Sequence, residues 1–257
     1  MKRRLIALLL AMSVLCICVL FTSCNQESVY AAVSEAMENT KKLDSMVATM
    51  KMDMEMSLMG QTVDASVVAE IKAKDITGDA PIAYTKMKVS TLGQNQVIEA
   101  YQEGGWMYIS ANDMQYKTNA EANMAEYNYN DEVNNMLVDI PEEFMDDLTF
   151  EFGKDGSKTV VISIPDDEFA EIFDAYLENL NSSNGLEGGD VTISDAEVSI
   201  TVLDGYISEY EMEFMMTMEM NGVTVDAEVE ASIEFEYPKG GVEITPPEGY
   251  QNFEELN

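Results

Sequence analysis

Apolar residues recur at every second position along much of this chain. Between Ser45 and Leu58, Met46, Ala48, Met50, Met52, Met54, Met56 and Leu58 share one parity, while Ser45, Thr49, Lys51, Asp53, Glu55 and Ser57 share the other. Only Val47 breaks the polar set. Period two over such a run predicts a long strand with one dry and one wet face. Met59-Gly60 is a turn candidate. Thr62 to Ala73 then alternates again through Val63, Ala65, Val67, Ala69 and Ile71, so the two runs predict a long antiparallel hairpin.

Less regular strands follow at Ile82–Thr91, Gln96–Gln102, Trp106–Ser110 and Gln115–Thr118, punctuated by Gly93 and Gly104-Gly105. A hairpin is expected at Thr149–Phe152 and Thr159–Ile164 around Lys154-Asp155-Gly156. The last third reads as strand throughout: Val191–Leu203, Tyr206–Met220 and Val223–Tyr237, the last two joined by Asn221-Gly222, a strong hairpin signal. Tyr206, Tyr210, Met212, Phe214, Met216, Met218 and Met220 share one face. In the final strand Asp226, Glu228, Glu230, Glu234 and Glu236 take the wet face. Pro238, Pro246 and Pro247 are expected to end the sheet.

Helical periodicity appears at three places. Val29 to Leu43 carries a stripe through Val33, Ala36 and Met37. Asp166 to Leu180 carries Phe169, Ile172, Phe173, Tyr176, Leu177 and Leu180, with Asp166 as a cap. A third, 132–148, holds a short helix after Pro141. Long strands with one apolar face must cover that face. The expected class is therefore α+β: a strongly curved antiparallel sheet, an unclosed β-barrel, with two or three helices over its concave face.

There is an internal echo. Gly60-x-Thr62-Val63-Asp64-Ala65-x-Val67-x-Ala69-x-Ile71 recurs as Gly222-x-Thr224-Val225-Asp226-Ala227-x-Val229-x-Ala231-x-Ile233. Both a duplicated hairpin and two strands drawn from one restricted alphabet fit it.

The first residues add a different kind of signal. Lys2, Arg3 and Arg4 precede an uncharged run, Leu5 to Leu20, that is short for a membrane-spanning helix. Phe21-Thr22-Ser23-Cys24 then resembles the lipobox of bacterial lipoproteins, with Phe21 where Leu is usual. That resemblance implies a signal peptide over 1–23, cleavage before Cys24 and acylation of Cys24 by palmitate or a similar chain. Residues 24–28 become the lipidated Cys and a tether reaching only on the order of 10–15 Å. Residues 29–257 are expected to form one domain at the outer face of the cytoplasmic membrane. Cys16 and Cys18 leave with the signal, so the domain has no disulfide and relies on its core.

Charge excludes whole classes of partner. Cleavage removes three basic residues and no acid, leaving 11 Lys plus Arg against 48 Asp plus Glu. A surface of that sign repels nucleic acid and anionic headgroups. Histidine is absent, which removes the commonest general base and neutral-pH metal ligand. There is no G-x-S-x-G, P-loop or D-x-D-x-D-G loop, and no nucleophilic cysteine in the mature part. No catalytic residue, cofactor or metal is expected. Trp106, Tyr108 and Tyr116 read as core residues.

The methionines carry the sharpest question. Met46, Met50, Met52, Met54, Met56, Met212, Met216, Met218 and Met220 lie in phase on apolar strand faces. Plain core packing explains them. So does a deformable lining for a greasy ligand, since methionine is flexible and polarizable. A thioether site for Cu(I) is a third reading. The cavity reading puts Met50, Met52, Met54, Met56, Val67, Met212, Phe214, Met216, Met218 and Val229 around the ligand.

Cys24 with its signal, the helix at 29–43 leading into the hairpin at 45–73, Gly105-Trp106-Met107-Tyr108, and Phe235-Glu236-Tyr237 through Ile244-Thr245-Pro246-Pro247 together resemble the LolA-like lipoprotein and lipid-carrier superfamily. That superfamily includes mycobacterial lipoglycan-carrier lipoproteins and lipoproteins of Gram-positive bacteria. The resemblance spans most of 28–250 and is one of layout. It implies an unclosed barrel capped by helices, with acyl chains held in the hollow. The expectation is a non-enzymatic, bilayer-anchored protein that binds a hydrophobic molecule or lipid. The alternative is a surface interaction or sensor module with a filled core and an unknown protein partner.

Overall fold

Strict alternation leaves each strand with a face that must be covered and a face that can stay wet, and the register of the sheet follows from it. A computed structural model of the chain describes residues 26–58, 60–78, 80–112, 114–119, 149–166, 190–220 and 223–256. Among them are a helix, α1 (Gln26–Thr40), and twelve strands. The first six strands are β1 (Ser45–Leu58), β2 (Gln61–Lys74), β3 (Ile82–Thr91), β4 (Gln94–Glu103), β5 (Trp106–Ala111) and β6 (Met114–Asn119). The others are β7 (Thr149–Phe152), β8 (Lys158–Ile164), β9 (Asp190–Leu203), β10 (Tyr206–Met220), β11 (Val223–Glu236) and β12 (Glu254–Glu255).

All twelve lie in one curved sheet of order β12-β6-β5-β4-β3-β2-β1-β11-β10-β9-β8-β7. It consists of two meanders, β1 to β6 and β7 to β11, joined where β1 pairs with β11. Pairing is antiparallel except between β12 and β6. The end strands do not meet, so the barrel stays open. Hairpin turns are tight where both central residues have positive φ: Leu92-Gly93 at 50° and 73°, and Asp204-Gly205 at 53° and 81°. That is the backbone of a type I′ turn, whose twist matches that of the strands.

The core lies on the apolar face, toward the end where α1 finishes. Val33, Ala36 and Met37 of α1 are buried with Met46, Ala48, Val160, Ile200, Ile207 and Phe235. The helix packs on β9 and β10. Its last residue fixes the docking: the Thr40 hydroxyl donates to Ala36 O at 2.8 Å and accepts from Ile207 N–H at 3.1 Å. Tyr237 Oη donates to Ile207 O beside it.

Several expectations need correction. The first helix is Gln26–Thr40 rather than 29–43, because the Thr40–Ile207 contact sets its end. Leu43 lies in the turn beyond. The prolines do not end the sheet: after Pro246 and Pro247 the chain forms a turn at Tyr250–Asn252 and returns to add β12 beside β6. Trp106 and Tyr108 are not core residues, since their register with Glu103 and Tyr101 puts them on the outer face. There Tyr108, Tyr101, Tyr250 and Phe253 form a separate aromatic cluster with edge-on contacts of 4.9 to 6.3 Å. Lys117 sits 4.8 Å above Trp106. Asp166 Oδ1 accepts from Asp195 N–H at 3.0 Å, where a bulge interrupts β9. The expected helices at 166–180 and 132–148 lie outside the described residues, apart from Asp166 itself.

Candidate ligand-binding furrow

The cross-strand register brings the methionines together in a way that their positions along the chain do not reveal. On the inner face, β11 lies between β1 and β10. Met52 faces Ala231, which faces Met212. The next steps up are Met54–Val229–Phe214 and Met56–Ala227–Met216. Large side chains therefore stand on both sides of a strand of small ones. Adjacent strands are about 4.8 Å apart, so the two ridges stand roughly 10 Å apart with Ala227, Val229 and Ala231 as the floor between them.

Burial follows this relief on the β1 side, and Ala231 of the floor is half-buried. Ala227 and Val229 on the floor are 1% and 3% exposed. Phe214 and Met216 are also buried. Met50, Met52, Met54, Met56, Met212 and Met218 are only half-buried. Val67 is half-buried opposite Met52, in a second channel whose floor is Ala65, Val67 and Ala69 of β2. The register thus sets all ten expected lining residues on one face. Met46 is sealed in the core cluster that also holds Val33, Ala36 and Met37 of α1.

At its lower end the furrow is filled. The next step down is Met50–Ile233–Tyr210, and Phe235 lies below it, against the cluster that includes α1. Tyr210 is 6% exposed, and its hydroxyl is buried without a hydrogen-bond partner. Burial pushes its pKa up to about 12. Nothing in the sequence pattern singled it out beyond its place on the apolar face.

Ile207, fully buried nearby, escapes the alternation altogether. An extra residue, Ser208, bulges β10 so that Ile207 and Tyr210 both turn inward. Ser208 marks the bulge by donating to Thr201 O at 3.1 Å.

The outer face is chemically opposite. A shallow cavity of about 410 Å³ opens there, across β11, β1, β2 and β3. Asp53, Glu55, Asp64, Glu228 and Glu230 line it with Ser66, Ser90 and Thr91. Lys51 bridges to Glu234 at 2.7 Å and Lys86 to Glu99 at 2.8 Å. Partial burial, then Glu211 and Glu234, raise the pKa of Glu209. Among the described residues no group of three or more acidic, His or Cys side chains is arranged to hold a metal ion.

Residues 26–250 match the sequence pattern of a family of unknown function, DUF6612. The chain belongs to DUF6612. No curated protein matches this DUF6612 chain. Two solved structures are similar to it. The crystal structure of LprF from Mycobacterium bovis is 15% identical, covers 86% of this chain and 97% of its own, and has a TM-score of 0.41. A β-barrel-like protein of the domain of unknown function DUF1849 from Brucella abortus is 11% identical, with 75% and 98% covered and a TM-score of 0.20. At such scores both fold and chemistry of the DUF6612 chain rest on its own register and burial.

Proposed function

We propose that this protein is a non-enzymatic lipoprotein, held by acylated Cys24 at the outer face of the cytoplasmic membrane, that carries a hydrophobic ligand along the inner furrow. The ligand class is a lipid acyl chain, as the LolA-like layout implies. The carrying observation is the contrast between β11 and β1: Ala227 and Val229 are buried, whereas Met56 and Met54, which face them, are left half-buried, as are Met52 and Met212 on either side of Ala231. A core built only for stability seals its large side chains first, because they bring the most apolar area. Here Met54 and Met56 are left partly open beside covered Ala227 and Val229, while Phe214 and Met216 close the β10 side. Methionine tolerates that position and re-packs around an irregular chain.

The test is native extraction of the full chain from its membrane followed by mass spectrometry. Wild-type protein should retain lipid, and Met54→Gln with Met212→Gln should lose it while keeping the fold. Lipid-free wild-type protein, or equal retention by the double variant, overturns the reading.

A second reading has one observation in its favour, the acidic cavity on the outer face. It makes that face a dock for a basic protein partner. Crosslinking in intact cells through a photoreactive residue at position 66 would capture such a partner, and an empty result would remove this reading.

A further inference from the structure

We propose that the Tyr210 hydroxyl is the polar anchor of the furrow, and that it selects ligands bearing an acyl carbonyl, inserted head first. This rests on the reading of the furrow as a ligand site. Buried hydroxyls in folded proteins almost always have a partner. The others at this end of the sheet obey that rule: Thr40 bonds Ala36 O and Ile207 N–H, and Tyr237 bonds Ile207 O. Tyr210, 6% exposed, does not.

Its cross-strand neighbours explain the deficit. Tyr210 lies between Ile200 and Ile233, with Met50 beyond Ile233. None of these side chains offers an oxygen or nitrogen. Phenylalanine would fill the same space without burying an unmet hydroxyl, so packing alone gives no reason for tyrosine. Its location supplies one. Tyr210 stands where the floor changes from Ala231 to Ile233 and the furrow fills. A chain lying between the methionine ridges has its lower end there, and its tail runs up past Val229 and Ala227. An ester or carboxylic carbonyl at that lower end accepts the phenol proton. A plain alkyl end leaves it unmet, and that difference is the basis of selection.

The probes are 1-monomyristoylglycerol and its ether analogue 1-O-tetradecylglycerol, which lacks the carbonyl. Both are titrated into the full chain held in amphipol, as wild type and as Tyr210→Phe. Wild type should prefer the ester by about fivefold, the worth of one neutral hydrogen bond. The ester carbonyl stretch should move to lower wavenumber on binding. Tyr210→Phe should erase both the preference and the shift, and without ligand should melt no lower than wild type.

Two results overturn the anchor alone. One is binding of both amphiphiles without preference and with an unmoved carbonyl band. The other is a lower melting temperature for unliganded Tyr210→Phe, which would mean that the hydroxyl serves the fold. If neither amphiphile binds wild type, the ligand reading falls and the anchor falls with it.

Discussion

The outer face stacks carboxylates directly opposite one another, and that arrangement makes stability depend on salt in a calculable way. Glu213 faces Glu197 on one side and Glu230 on the other, and Glu230 faces Asp53. One step along, Glu55 lies between Glu228 and Asp64. These are five like-charge contacts among seven exposed side chains. Like charges directly opposite on neighbouring strands are destabilising. Two such charges splayed about 7 Å apart in water repel by ~0.6 kcal/mol. A Debye length near 30 Å at 0.01 M leaves roughly four-fifths of that, and one near 3 Å at 1 M leaves roughly a tenth. Over five contacts salt recovers on the order of 2 kcal/mol, less the repulsion that the unfolded chain retains.

For a chain of this size that is a rise in Tm of roughly 4–8 °C. Scanning calorimetry between 0.01 and 1 M NaCl measures it. The control is Glu55→Gln with Glu230→Gln, which removes four of the five contacts while leaving the strands apolar inside. The double variant should melt higher at low salt and show a much flatter salt response. If wild type and variant share one slope, the ladder is not the origin of the salt effect and the reasoning fails.

Three further outcomes follow from single groups. Thr40→Val leaves Ile207 N–H buried without an acceptor and should cost about 1–3 kcal/mol in urea unfolding, whereas Thr40→Ser should recover most of it; equal losses would place the effect in packing. Leu92 holds φ 50° at a hairpin tip and is 75% exposed, so Leu92→Asn, which suits the type I′ turn with Gly93, should raise stability by about 1 kcal/mol, and a lower Tm would contradict it. Burial raises the pKa of Tyr210 to about 12 and lifts that of Tyr237 in the same direction. Above pH 10 the unfolded chain releases these protons while the fold keeps them, so stability falls as pH rises, by up to ~1.4 kcal/mol per unit for Tyr210 until its folded pKa is reached. Absorbance of tyrosinate near 295 nm should show a late group titrating together with unfolding, and independent titration of all twelve tyrosines would refute this.

How much of this was legible in the sequence depends on what each feature contacts. β1 is read residue by residue, since a strand wet on one side writes its register in every second position. β10 is legible only from Tyr210 upward. Below it the bulge at Ser208 shifts the parity, and Ile207, fully buried, falls on the face that alternation assigns to water. The end of α1 is displaced by three residues because a long-range hydrogen bond, not helix propensity, fixes it. The return of the chain to β6 was hidden behind prolines, and Tyr250 and Phe253 reveal their role only against Tyr101 and Tyr108. For the candidate site, the sequence shows two methionine strands but not that β11 lies between them. The β1–β11 pairing joins residues some 170–190 positions apart, and no local pattern encodes it.

That pairing also gives the internal echo a physical meaning. Within the first hairpin Ala65 faces Met54, Val67 faces Met52 and Ala69 faces Met50. Within the second, Ala227 faces Met216, Val229 faces Phe214 and Ala231 faces Met212. Each of these pairs is the first set carried forward by the same offset as Gly60 to Gly222, so the repeat extends to the paired hairpin as a whole. In the order β2-β1-β11-β10, the second hairpin is the first one displaced sideways by two strands. Displacement by two strands restores both chain direction and inner face, so each repeated position looks the same way. One hairpin alone has a methionine ridge and a small-residue floor, but only one wall. The second wall exists because the floor strand of one hairpin, β11, lies against the ridge strand of the other, β1. Whether by duplication or by convergence on one alphabet, the furrow is a product of using the hairpin twice, and neither copy could make it alone.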